Sequence, residues 1–106
     1  MASVGLTRKA AERKGQAIRE VTAPVGTLGA QLHAEGYDAG WAQWVLDAET
    51  GVLLGATFVG TSVADLLHAS TVAVVGKMSV QQLAHAIPSF PTMSETYLNL
   101  VEAAGL

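Results

Sequence analysis

The chain has 106 residues, of which 50% are hydrophobic and 14% are charged, and its formal net charge is −3. This length fits one domain. The lack of cysteine excludes a disulfide framework, a redox-active cysteine pair and a thiolate metal site within the chain. Since no apolar run approaches the roughly 20 residues of a membrane-spanning helix and no signal peptide is visible, we expect a cytoplasmic protein without a membrane partner.

The basic residues are concentrated at the start of the chain, whereas seven of the nine acidic residues follow position 20. Five of the six basic residues lie in the first nineteen positions: Arg8, Lys9, Arg13, Lys14 and Arg19. This pattern is typical either of nucleic-acid binding or of the solvated face of a surface helix. The negative net charge and the lack of interleaved aromatic residues favour the surface helix, so no nucleic-acid partner is expected.

The first elements predicted in chain order are two strands around a helix. Residues 2–6 are a short apolar run typical of a strand. Residues 8–14 are predicted as a helix, with Thr7 at its N-cap and Gly15 at its end. Residues 16–23 alternate between apolar and polar side chains and are predicted as a second strand, which a proline ends.

Residues 25–37 show no clear periodicity, and only a helical turn over residues 28–34 is predicted there. The hairpin that follows is the clearest prediction in the middle of the chain. Residues 41–47 and 52–59 are strand-like runs joined by a turn at residues 48–51. Gly55 is predicted to allow a β-bulge or the close approach of a helix. The first strand has Ala42, Trp44 and Leu46 on one face and Trp41, Gln43 and Val45 on the other. Because each face carries a tryptophan, both faces are predicted to be covered, with the tryptophans in the core.

A helix predicted over residues 63–75 is apolar around most of its circumference. Ser62 and Asp65 have the spacing of a capping pair, and the only polar stripe consists of Asp65, His68 and Thr71. A helix of this kind must be buried on more than one side. We expect one side to lie on the sheet and the other to meet another chain or domain. Residues 79–86 are predicted as a short following helix.

The last segment is predicted to be a rigid connector that leads into a helix. Pro88 and Pro91 restrict the backbone on both sides of Phe90. Thr92 and Glu95 have the spacing of a capping box, and the helix that follows is amphipathic. Strand, helix, strand, hairpin and then helices together predict an α+β domain, with a mostly antiparallel sheet and helices packed on one face.

The three histidines do not predict a metal site. His33, His68 and His85 are separated by 35 and 17 residues, which matches no local zinc-binding pattern. His68 lies one helical turn after Asp65 and is predicted to pair with it or with solvent. His85 follows a short helix, where a cation interacts favourably with the helix dipole.

Two segments carry a resemblance to a known family. Residues 90–95 read Phe-Pro-Thr-Met-Ser-Glu, and residues 2–7 read Ala-Ser-Val-Gly-Leu-Thr. Together with the central hairpin, they resemble the C-terminal dimerisation domain of the FAD-dependent pyridine nucleotide-disulfide oxidoreductases, the class of dihydrolipoamide dehydrogenase and glutathione reductase. The family motif is His-Pro-Thr-x-Ser-Glu, so four of its five defined positions match and Phe90 replaces the histidine.

The resemblance implies that residues 1–106 are one dimerisation domain and a fragment of a larger flavoprotein, with Met1 directly before the opening segment. It implies a homodimeric parent whose other domains bind FAD and NAD(P)H. This chain would bind no cofactor itself, because it has neither a G-x-G-x-x-G sequence nor a P-loop. The alternative is a small stand-alone enzyme or ligand-binding protein on the same fold, for which the available polar groups are Asp65, His68 and His85.

The resemblance also assigns roles at the motif. In the family, the histidine is the acid/base at the partner's dithiol–flavin centre and the glutamate orients it. Phe90 cannot transfer a proton, so no catalytic residue is expected here, and Glu95 matches the glutamate but would act only as a cap. His85, five residues upstream, is a candidate substitute. The residues predicted at the dimer interface are Leu66, Val72, Phe90, Pro91, Tyr97 and Val101.

Overall fold

The structure is a computed structural model that describes residues 1–25, 40–60, 63–88 and 93–105. The strands are β1 (Ala2–Gly5), β2 (Ile18–Pro24), β3 (Trp41–Asp47) and β4 (Leu53–Val59). The helices are α1 (Arg8–Arg13), α2 (Ala64–Val75), α3 (Val80–Leu83) and α4 (Thr96–Ala103), with a 3₁₀ turn at Met93–Glu95. The predicted order of strands and helices is therefore confirmed. The predicted turn over residues 28–34 and the proposed caps Ser62 and Thr92 lie outside the described residues.

Within the described ranges, the four strands form one sheet in the order β1-β4-β3-β2, and each neighbouring pair is antiparallel. The β3–β4 turn is built by Asp47, whose Oδ1 accepts hydrogen bonds from the backbone N–H groups of Glu49 (2.9 Å) and Thr50 (3.0 Å). The bond from Thr50 is the largest cause of the lowered pKa of the Asp47 carboxyl, followed by the bond from Glu49. Gly51 closes the turn at a φ of +73°, which glycine adopts without strain.

A β-bulge interrupts the hairpin, and this confirms the prediction of a bulge at Gly55. Val45 pairs with Gly55 and Leu46 pairs with Leu53, so Leu54 is the extra residue on β4. The close neighbour of Gly55 is the chain after β1, not a helix, because a Cβ at this position would lie 2.0 Å from the carbonyl oxygen of Leu6. The N–H of Leu6 also donates to the carbonyl of Leu54 (2.9 Å). The lack of a Cβ at Gly55 therefore lets the residue that follows β1 lie at close range to β4.

The core lies between one face of the sheet and two helices. Helix α2 packs on β4 and β1, whereas α4 packs on β2 and β3. Both helices lie on the face that carries the buried Trp44 and Phe58, and the predicted α+β architecture is confirmed. The opposite face is buried at Val45, but Trp41 is 40% exposed. The prediction that both faces are covered and both tryptophans lie in the core is therefore confirmed at Trp44, but this chain leaves Trp41 partly exposed.

Candidate dimer interface

The hydroxyl of Tyr97 connects α4 to α2. It donates a hydrogen bond to the carbonyl of Leu66, and it accepts one from the backbone N–H of Ser70 (3.1 Å) and one from Ser70 Oγ (2.8 Å). Leu66 and Ser70 are four residues apart, so the hydroxyl bonds to the two ends of a single turn of α2. Burial raises the pKa of Tyr97, and the two bonds from Ser70 offset part of that effect.

The ring of Tyr97 is held as firmly as its hydroxyl. Its centroid lies 5.9 Å from the ring of Trp44 and 5.8 Å from the ring of Phe58, and both pairs are tilted. These separations are within the range in which aromatic pairs attract each other. Tyr97 therefore connects α4 both to α2 and to the sheet.

Three further hydrogen bonds dock α4 along β2. Thr96 Oγ1 donates to the carbonyl of Val25 (3.0 Å) inside the core, and Asn99 Nδ2 donates to the carbonyl of Pro24 (3.0 Å). At the other end, the Arg19 guanidinium donates to the carbonyl of Ala104 (2.8 Å). This last contact places a cation at the C-terminus of α4, where the helix dipole favours positive charge.

Helix α2 has a buried face and an exposed face that carries both polar and apolar side chains. Leu66, Ser70 and Ala73 point into the core, which confirms that one side lies on the sheet. On the other side, Val72 is 54% exposed and Val75 is 78% exposed. Leu66, which was predicted at the interface, is only 1% exposed and is a core residue in this chain, so that assignment is corrected. The exposed residues Asp65, His68, Ala69, Val72 and Val75, which recur at helical spacing, are called the α2 face below.

An apolar groove of about 220 Å³ lies beside the α2 face. It is bounded by α2, by α4 and by residues 83–88, which are called the segment around α3 below. Trp44 forms part of its wall, and its buried Nε1 has no hydrogen-bond partner among the described residues. Ala69 belongs both to the groove and to the α2 face, which makes the two surfaces continuous. The other residues that line the groove are Leu83, Ala84, Ala86, Pro88, Ser94, Tyr97, Leu98 and Val101.

The predicted interface residues are thus divided among three places. Leu66 lies in the core, Tyr97 and Val101 line the groove, and Val72 lies on the α2 face. Phe90 and Pro91 lie outside the described residues, so their predicted roles stay predictions. Ser70, whose N–H and hydroxyl bond to Tyr97, was not predicted from the sequence. The signal available for it was a hydroxyl on the side of α2 that also carries Leu66 and Ala73.

The polar groups considered for an alternative active site do not form one with the groove. Asp65, His68 and His85 are all exposed, and none of them lines the groove. Glu95 is buried at the end of the 3₁₀ turn, directly before α4. Across the described ranges, no three His, Asp or Glu side chains gather in a way that could hold a metal ion. In the same ranges, every helix is too short or insufficiently apolar to cross a bilayer.

The fold and the exposed apolar surfaces agree with the sequence comparison. The family described as "Pyridine nucleotide-disulphide oxidoreductase, dimerisation domain" matches residues 1–101. The chain therefore belongs to this family of dimerisation domains.

Curated relatives at the sequence level are dihydrolipoyl dehydrogenases. The protein from Mycobacterium tuberculosis is 37% identical over 95 residues, which are 90% of this chain and 20% of the relative. The protein from Rhizobium etli is 38% identical over 96 residues, which are 91% of this chain and 20% of the relative. The chain thus spans about a fifth of the length of these relatives.

Solved structures show the same fold at lower identity. LpdA from Mycobacterium tuberculosis matches with a TM-score of 0.80 at 21% identity, over 96% of this chain and 22% of that one. The HOCl-induced flavoprotein disulfide reductase RclA from Escherichia coli matches with a TM-score of 0.82 at 24% identity, over 94% of this chain and 23% of that one.

Proposed function

We propose that this chain forms the subunit contact of a homodimeric flavoprotein, and that the α2 face is part of that contact. The observation that carries the proposal is the exposure of Val72 and Val75 on a helix whose opposite side is already buried. Exposed apolar patches of this kind are typical of association surfaces. A two-fold arrangement is expected, because one self-complementary surface then closes the assembly at two copies.

In the same proposal, FAD and NAD(P)H bind to other domains of the parent. The described residues fit neither cofactor, because all pairs of neighbouring strands in the described sheet are antiparallel. Dinucleotide-binding folds instead place the pyrophosphate at a β-α turn of a parallel sheet. The chain should therefore stay colourless when it is purified with added FAD and desalted. Flavin retained at one equivalent would contradict this part of the proposal. A cytoplasmic location stays a prediction from the sequence.

The chain contributes no acid/base group at the family motif in this proposal. Phe90 occupies the position of the motif histidine, and a phenyl ring cannot accept or donate a proton. The parent would then reduce its acceptor directly from the flavin or take its proton from another group, of which His85 is the candidate on this chain. Glu95 would support the start of α4 and would not orient a base.

Sedimentation of the 106-residue chain tests the proposed contact. We expect a dimer at micromolar concentration, and Val72→Asp should shift it to monomer while the circular dichroism spectrum stays that of the wild type. Burial of one valine contributes about 1.5 kcal/mol or more, and a dimer buries two copies. Thr22→Asp is the matched control, because Thr22 is exposed on β2 away from the two packed helices. A wild-type chain that sediments only as monomer would refute the proposed contact.

A further inference from the structure

The groove beside the α2 face is apolar space that water fills poorly. Water in the groove finds few polar partners on the protein, because most of the lining side chains are aliphatic or aromatic. Among the lining residues only Trp44, Ser94 and Tyr97 have a polar side-chain atom, and the Tyr97 hydroxyl is already bonded to Leu66 and Ser70. An apolar side chain is therefore a better occupant than water.

Ile87 is an apolar side chain at the rim of the groove. Ile87 is 83% exposed, although both of its chain neighbours, Ala86 and Pro88, line the groove. The side chain is consequently not inside the groove of its own copy. Because the next residue is a proline, the backbone of Ile87 is restricted to extended conformations. Each copy thus presents an unfilled apolar groove and, beside it, an unburied apolar side chain.

We propose that Ile87 of each copy inserts into this groove of the second copy. In a two-fold dimer, Ile87 of the first copy meets the groove of the second, and the same symmetry axis places Ile87 of the second copy in the groove of the first. Ala69 makes the groove continuous with the α2 face, so a copy seated on that face reaches the groove as well. The inference rests on the proposed dimer contact and adds to it the residue that each copy contributes and the place where it binds.

Cysteine cross-linking tests this arrangement directly, because the chain has no cysteine of its own. Ile87→Cys and Leu98→Cys chains are mixed in equal amounts, incubated to exchange subunits, and oxidised mildly. Leu98 lines the groove and is accessible. We expect a disulfide between the two variants in high yield. A mixture of Ile87→Cys with Thr22→Cys is the matched control and should give only background.

The outcomes distinguish failure of the Ile87 proposal from failure of the proposed dimer contact. If the chain sediments as a dimer but the mixed disulfide does not exceed the Thr22 control, Ile87 does not occupy the groove, while the α2 contact stands. If the chain is only monomeric, both proposals fail. As a second measurement, Ile87→Ala should raise the dimer dissociation constant about tenfold or more, because two isoleucine burials are lost. An unchanged dissociation constant would overturn the inference even if some disulfide formed.

Discussion

Replacement of Tyr97 by phenylalanine removes one oxygen from the centre of the domain and leaves the aromatic packing in place. The lost groups are the donor to the Leu66 carbonyl and the acceptor for the N–H and hydroxyl of Ser70. The contacts of the ring with Trp44 and Phe58 do not involve that oxygen. The variant therefore isolates the contribution of the hydrogen bonds between α4 and α2.

The expected magnitude follows from what each partner can do afterwards. The Leu66 carbonyl and the Ser70 N–H are four residues apart in a helix and can satisfy each other. The hydroxyl of Ser70, which is fully buried, is left with fewer partners. A net loss of about 1–3 kcal/mol is expected for hydrogen bonds broken in this way. For a domain of this size, each kcal/mol corresponds to about 4–8 °C in Tm.

Urea denaturation at one fixed protein concentration measures the loss, since the proposed dimerisation would make stability depend on protein concentration. A double-mutant cycle with Ser70→Ala identifies its origin: the two single losses should sum to more than the loss in the double variant, by about 0.5 kcal/mol or more. Thr96→Val is the matched control, because it removes a buried hydrogen bond between α4 and Val25 instead. Its loss should add to that of Ser70→Ala. A Tyr97→Phe variant as stable as the wild type, or strict additivity in the cycle, would refute the assignment.

Further predictions concern pH, packing and the family motif. The folded state raises the pKa of Tyr97, so its neutral phenol contributes stability that is fully present below the unfolded pKa of roughly 10 and is lost as pH rises through the folded pKa. The urea midpoint at alkaline pH should therefore fall in the wild type and should not show this fall in Tyr97→Phe. The folded pKa of Asp47 is lowered, so its contribution is present above roughly pH 4 and is lost as pH falls through the folded value; Asp47→Asn should remove this acid dependence of the urea midpoint. Gly55→Ala should cost about 2 kcal/mol or more, because its Cβ would lie 2.0 Å from a backbone oxygen, whereas Gly15→Ala, which meets nothing within 4 Å, should cost about 1 kcal/mol through its positive φ alone. Equal unfolding midpoints for these two variants would contradict the close approach. In the full-length parent, Phe90→His should not increase turnover with the natural acceptor in steady-state assays, and a large gain would contradict the proposed role.

The sequence by itself determined the local elements and the family. The cap of α1 was predictable because Thr7 acts within one turn, and its Oγ1 accepts from the N–H of Ala10 (3.1 Å). The β3–β4 turn was predictable for the same reason, since Asp47 and Gly51 act on residues next to them. Such signals depend only on neighbours in the chain. The motif at residues 90–95 indicated the family although its first three residues lie outside the described ranges.

Only the tertiary structure decided which apolar side chains are core and which are surface. Apolar residues surround most of α2, so periodicity alone could not distinguish the buried Leu66 from the exposed Val72. Nor could it pair Tyr97 with Ser70, 27 residues apart, because a hydrogen bond at that range depends on how two helices dock. The groove is formed by β3, α2, α4 and the segment around α3, and it exists only after each has packed. Burial depends on how the sheet and the helices pack, and the sequence pattern predicts the buried face of a helix only where polar residues define the exposed face.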